Sequence, residues 1–277
     1  MLLLADSGAT KTDWYIGNNP TDGLQFQTEG INPFHQSPSI ICTILEKQLL
    51  PHLPVSPASC HRIFFYGAGC TPAKSLKVAR MLQIFFTNAQ ISVESDLLGA
   101  ARSACKDHPG IACILGTGSN SCLYDGRQIV RNIPPLGYIL GDEGSGAYLG
   151  KRFIGDCLKG QLPEKLRDGL LEEYKLTMAD ILDRVYRQPQ ANRFLAGFTP
   201  YIYRHKEETE VQHFLSDCFR EFFLRNILPY ESDQPVSFVG SIAWFFRKEI
   251  EETARQMNIS VGTFVKSPIE GLKVYHF

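Results

Sequence analysis

Two stretches decide the fold: Leu2-Leu3-Leu4-Ala5-Asp6-Ser7-Gly8-Ala9-Thr10-Lys11-Thr12-Asp13 near the start of the chain, and Ile111-Ala112-Cys113-Ile114-Leu115-Gly116-Thr117-Gly118-Ser119-Asn120 in its middle. Each is an apolar strand that ends in a turn of small and hydroxyl-bearing residues and comes back as a second strand. Around the first, strands are expected at 2–5, 12–17 and 24–29, with Pro20-Thr21-Asp22-Gly23 as the second turn. Around the other, strands are expected at 111–115, 120–124 and 128–133, with Asp125-Gly126 as a hairpin turn. The same three-stranded meander is thus written twice.

Beyond each meander, helices and strands alternate. After the first come a helical stretch at 37–50, a β-rich run at 63–66, a helix at 72–86, a short strand at 91–93 and a helix that Ser95 caps and that runs towards Cys105. After the second, 144–230 reads as mostly helical with breaks at Pro163, Pro189 and Pro200. A strand at 236–239, a helix at 242–257, a strand at 259–264 and a short helix after Pro268 complete the pattern. An internal duplication is the expectation, giving an α/β protein of two domains, 1–107 and 108–277, the second with a helical insertion. A cleft between such halves is a usual place for a small ligand.

Composition narrows the function. The 277 residues are 44% hydrophobic and 21% charged, with a formal net charge of -1, the profile of an ordinary globular protein without the basic footprint of a nucleic-acid binder. The apolar run Met1–Ala5 is far short of the ~20 residues that a membrane-spanning helix needs, so a cytoplasmic protein with no membrane partner is expected. Eight cysteines show no C-x-x-C and seven histidines no H-x-x-x-H, so they are expected to be packed or solvated side chains and no structural metal is expected.

The turns carry the chemistry. In the first, Gly8, Thr10, Lys11 and Thr12 can present N–H groups, hydroxyls and a positive charge to phosphate oxygens, and Asp6 can hold a hydrated Mg²⁺; a plain hairpin turn reads almost as well. In the second, Thr117, Gly118 and Ser119 repeat the theme, so that two such turns could hold one polyphosphate. A third element, Gly240-Ser241-Ile242-Ala243, follows a strand and opens a helix, where glycine permits close backbone approach. Asp96 could be a carboxylate that favours a helix start, Asp142 beside Glu143 a solvated loop pair, and Asn32 before Pro33 a turn residue.

Taken in order, these motifs with Gly30-Ile31-Asn32-Pro33, Ser95-Asp96, Gly99-Ala100 and Gly141-Asp142-Glu143-Gly144-Ser145-Gly146 resemble the superfamily of sugar kinases, heat-shock chaperone ATPases and actin. Within it the chain looks like the N-acetylglucosamine kinase group of the BadF/BadG/BcrA/BcrD ATPase family. The resemblance implies two RNase H-like domains of the actin/hexokinase type flanking a nucleotide cleft, with ATP and Mg²⁺ as cofactors and phosphorylation of the 6-hydroxyl of an amino sugar, N-acetylglucosamine or glucosamine. It implies Asp96 as the base, Asn32 and Asp142 as sugar contacts, Thr10, Lys11, Thr117 and Ser119 along the phosphates, and Gly240 and Ser241 near the nucleoside. A homodimer is compatible with it. Ser7 departs from it, standing where many relatives have glycine, and so does Pro134-Pro135-Leu136 before Gly137, where better-known relatives have a glycine-rich stretch with tryptophan. The rival within the family is a BadF-type ATPase activator, and a third reading is a nucleotide-binding regulator without kinase activity. The activator branch has a different second phosphate turn and paired cluster cysteines, both missing here.

Overall fold

The structure, a computed structural model, describes residues 1–8 and 10–277; Ala9, part of the first turn, lies outside the described residues. It divides into two units, the first formed by residues 1–109, 124–129 and 267–277, the second by 110–123 and 130–266.

In the first unit β1 (Leu2–Ser7), β2 (Lys11–Gly17), β3 (Gly23–Glu29), β4 (Arg62–Gly67) and β5 (Gln90–Ser95) form one sheet in the order β3-β2-β1-β4-β5. β1 runs antiparallel to β2 and parallel to β4, which is parallel to β5. β1 is apolar from Leu2 to Ala5 because both its faces are covered there. Leu3 and Ala5 pack with Trp14, Ile16, Ile63 and Phe65 on one side, while Leu2 and Leu4 meet Tyr15, Tyr66, Ile269 and Leu272 on the other. Ser37 caps α1 (Pro38–Ile44), which continues through a π-helical turn at Leu45–Leu49. α2 (Pro72–Phe85) joins β4 to β5, and α3 (Asp96–Cys105) follows β5 with Ser95 as its cap, Oγ accepting from the Leu98 N–H at 3.2 Å.

The second sheet repeats the plan. β6 (Gly110–Leu115), β7 (Ser119–Tyr124), β8 (Ile129–Ile133), β9 (Val236–Val239) and β10 (Val261–Val265) lie in the order β8-β7-β6-β9-β10, the first order renumbered. Between β8 and β9 come the helices α4 (Gly137–Leu140), α5 (Gly146–Leu158), α6 (Glu164–Tyr174), α7 (Met178–Tyr186), α8 (Ala191–Ala196), α9 (Thr199–Arg204) and α10 (Thr209–Asn226). They build a core in which Phe153, Phe198, Phe219, Phe222 and Phe223 are almost wholly buried. β9 leads to α11 (Ser241–Phe245) and α12 (Arg247–Gln256), and β10 to α13 (Pro268–His276).

Three details differ from expectation. The helix expected over 242–257 is two, because the backbone at Phe246 leaves the helical region (φ -100°, ψ 25°) where its buried ring packs against Tyr203 and Phe219. The stretch 137–140 forms a short helix that no periodicity announced. The terminal helix belongs to the first unit and not to a domain 108–277: Ile269 and Leu272 complete the first sheet's second core, and His276 stacks on Phe64 at 3.9 Å with Nε2 2.8 Å from Tyr66 Oη. A boundary read from where the second meander starts cannot show a helix that returns to the first unit.

Candidate active site

In the first unit the polar groups gather at the carboxyl end of β1 and its neighbours. Asp6 sits opposite Asp13 across the β1–β2 pair and beside Tyr66 of β4. Burial, with the charges of Asp13 and Asp96 close by, pushes its carboxyl up to about 7, against the opposing pull of Lys11. Lys11 is itself tied to Asp13, with Nζ 3.0 Å from Oδ2, and the Gln27 amide donates to Asp13 Oδ1 at 2.6 Å. Asp96 opens α3, where its Oδ1 accepts from the Leu97 N–H at 2.9 Å; burial raises its pKa in spite of that bond. The expected helix-start geometry and the carboxylate of raised proton affinity therefore coexist in one residue.

Asn32 is held locally. Its Oδ1 accepts from the Phe34 N–H at 2.9 Å, and its own N–H donates to Gln36 Oε1 at 2.9 Å. The loop after β4, Gly67-Ala68-Gly69-Cys70, presses on it: Gly69 has φ +77°, and a Cβ there would overlap Asn32 Oδ1. The structure thus brings Asp6, Lys11, Thr12, Asn32 and Asp96 into one unit.

In the second unit three glycine turns meet. The turn after β6 closes with the Gly116 N–H donating to Gly118 O at 2.9 Å. Its carbonyls accept from the start of α5, Gly146 N–H to Gly116 O at 2.8 Å and Ala147 N–H to Thr117 O at 3.0 Å. Gly240 has φ +118°, and a Cβ there would overlap Leu115 O, so this position requires glycine. Ser119 is 6% exposed, and its buried Oγ has no hydrogen-bond partner among the described residues. An orphaned hydroxyl beside a glycine turn suits an oxygen-rich ligand such as a phosphate. Ser241 lines, with Ile242, Phe245, Thr199, Pro200 and Tyr203, a cavity of about 420 Å³.

Asp142 belongs to this second group. It is 8% exposed, in a left-handed backbone conformation (φ 56°), accepting the Ser119 N–H at 3.3 Å and packed over Gly118. Burial and the neighbouring Glu143 raise its pKa, partly offset by the Ser119 bond and Lys151. The solvated-pair reading fails, for Glu143 is buried and its Oε2 accepts from the Asn226 amide at 3.2 Å.

Several participants escaped the sequence reading. Asp13 and the Gly67–Cys70 loop were visible as residues, a carboxylate two places past Lys11 and a small-residue turn after a strand, the signal already used for Gly116. Ser7 gave no signal of its role. As for Mg²⁺, Asp6 faces Asp13 across the β1–β2 pair with the Asp96 charge close by, and carboxylate oxygens are the hard donors that suit the ion, so the residues fit. Among the described residues no group of three His, Cys, Asp or Glu is placed to hold a metal ion by itself.

Two repeats of one β-meander sheet plan, each with a polar turn after its first strand, define the actin-like ATPase fold. No protein-family model matches the chain, and no curated protein matches it. Among solved structures, a candidate N-acetylglucosamine kinase from Porphyromonas gingivalis is 48% identical with a TM-score of 0.95, over 100% of this chain and 98% of its own. A candidate N-acetylglucosamine kinase from Chromobacterium violaceum, 20% identical with a TM-score of 0.74 over 99% and 98% of the two chains, shares the fold. So does the ethanolamine utilization protein EutJ from Carboxydothermus hydrogenoformans, 14% identical with a TM-score of 0.54 over 99% and 89%. The chain belongs to the family of the Porphyromonas gingivalis protein, the N-acetylglucosamine kinase-like proteins of the actin-like ATPase fold.

Proposed function

We propose that the protein is an ATP-dependent sugar kinase that phosphorylates the 6-hydroxyl of an amino sugar, N-acetylglucosamine in the first place and glucosamine in the second. The observation that carries the reading is Asp96: a carboxylate held at the start of a helix by the Leu97 N–H, with a pKa raised by burial, in the same unit as the Mg²⁺-suited Asp6. The family relative at 48% identity supports the same class of chemistry.

Phosphoryl transfer needs positioned donors, charge neutralisation and one group to orient the attacking hydroxyl. Asp96 accepts the proton of the sugar 6-hydroxyl as its oxygen forms a bond to the γ-phosphorus, and the bond from that phosphorus to the β–γ bridging oxygen breaks, releasing ADP. The Asn32 side-chain carbonyl is engaged by Phe34, which leaves its amide N–H groups as donors to the sugar, and Asp142 is the second sugar contact. Thr10, Lys11, Thr117, Gly118 and Ser119 are assigned to the phosphates, and the Ser119 hydroxyl is the buried donor that lacks a partner among the described residues; Thr12, expected there too, is fully buried with its hydroxyl against Ser7 and braces the turn instead. The cavity lined by Ser241 takes the nucleoside. Asp6 would hold Mg²⁺, which neutralises phosphate charge when bound.

A coupled assay for ADP release over a panel of hexoses and hexosamines tests this. Turnover with N-acetylglucosamine well above that with glucose is the expected result; ATP hydrolysis with no dependence on any sugar refutes it.

A further inference from the structure

Ser7 is the last residue of β1, and its side chain is fully buried. Its hydroxyl nevertheless makes three bonds, two to the backbone of Ile31 and one to Thr12. Oγ donates to Ile31 O at 3.0 Å, accepts from the Ile31 N–H at 2.9 Å and meets Thr12 Oγ1 at 2.7 Å. The Ser7 carbonyl accepts from the Ala68 N–H at 2.8 Å. With the Ser7 proton on Ile31 O, Thr12 is the donor in the Ser7–Thr12 bond. One serine therefore joins the first phosphate turn to the segment that carries Asn32 and to the loop whose Gly69 presses on the Asn32 side chain.

We infer that Ser7 is a positioning residue for the acceptor: it holds the Gly30–Asn32 segment in register with the Asp6–Thr12 turn, so that the sugar contact and the phosphate turn keep a fixed spacing. The inference rests on the sugar kinase reading. The Ile31 backbone has both its N–H and its C=O satisfied by this single hydroxyl, so removing it leaves two buried polar groups without partners and frees the residue next to Asn32. The glycine turns of the second unit are bonded without Ser7.

The test uses the full chain with Ser7→Ala and Ser7→Thr, assayed with MgATP and N-acetylglucosamine, together with amide hydrogen exchange without ligands. In Ser7→Ala the KM for the sugar should rise by roughly tenfold while kcat and the KM for ATP stay within about twofold, the size expected for a lost buried hydrogen bond that acts on binding. Exchange at the Ile31 amide should quicken by about the same factor. Ser7→Thr, which keeps the hydroxyl, should restore both. If Ser7→Ala does not fold, Ser7→Cys, close in volume and a far weaker hydrogen-bonding group, gives the same two readouts. A sugar KM that stays at the parent value, or one that rises only together with the ATP KM, overturns the inference, the latter showing a general structural role. If the parent itself phosphorylates no amino sugar, the proposed function falls, and the Ile31 exchange rate alone decides whether Ser7 holds the segment; an unchanged rate overturns it.

Discussion

The two units share a sheet plan and differ in what they hang on it. At the end of β1 the polar work is done by side chains: Asp6, Ser7, Lys11, Thr12 and Asp13 interact with one another or with neighbouring loops. At the end of β6 it is done by backbone, with Gly116 and Thr117 carbonyls bound to the start of α5 and Gly240 seated where any Cβ would strike Leu115. Duplicating a fold therefore does not duplicate its chemistry. One copy packs several titratable side chains against one another, and the other relies on close backbone approaches with Asp142 set over them.

The sharpest way to break this contrast is to remove the proposed base. Asp96→Asn should lower kcat by ~10²–10⁴-fold while ATP affinity barely moves, because the loss falls on the transition state. Steady-state kinetics beside a nucleotide-binding titration checks both halves; a rate within about threefold of the parent would reduce Asp96 to a helix-start carboxylate. The second unit should answer in the opposite way. Gly240→Ala, which must shift backbone to avoid Leu115 O, should weaken ATP binding by about tenfold and destabilise the fold by roughly 1–3 kcal/mol, with little effect on the sugar KM. Isothermal titration with ATP and a thermal melt measure these.

A smaller effect tests the charge in the first unit. With its pKa at about 7, Asp6 is mostly protonated at pH ~6.5, and bound Mg²⁺ favours the carboxylate, so MgATP binding at that pH should release protons. Binding enthalpies compared in buffers of different ionisation heat report the release, which should vanish in Asp6→Asn. Release of the same size in that variant would move the titrating group elsewhere.

The smallest effect concerns the helices that follow each fifth strand, α3 and α13. His276 on α13 is lowered to about 4 by burial, with Arg102 and Arg62 adding to the shift. In the unfolded chain histidine takes a proton below about 6.5, and in the folded protein only below about 4, so stability is complete above about 6.5 and declines as the pH falls from there to about 4. The melting temperature should drop by a few degrees over that interval. The drop should be smaller in His276→Gln, and an equal one in both would assign the pH dependence to other groups.

The strands and most helices were legible because the apolar pattern of β1 and β6, the helical periodicity and the cap Ser95 are local signals. The break at Phe246 was not, since it answers to aromatic partners more than twenty residues away. Among site residues, the motifs pointed to Asp6, Asp96 and Asp142 but not to their company. That Asp142 lies on Gly118 and Ser119, that Glu143 binds Asn226, and that Ser7 holds Ile31 are contacts between distant segments, which no spacing along the chain encodes.

The return of α13 to the first unit has a consequence for how the protein is made. Leu2 and Leu4 need Ile269 and Leu272 to cover one face of the first sheet, and Gly271 of α13 packs so closely on Ser103 of α3 that any larger residue would overlap it. On the ribosome, domains generally fold as they emerge, amino-terminal first. Here the amino-terminal unit is synthesised early but stays incomplete, with part of one sheet face uncovered, until residues 267–277 have been made. The second unit, with its helices and sheet between residues 110 and 266, can be complete before the first.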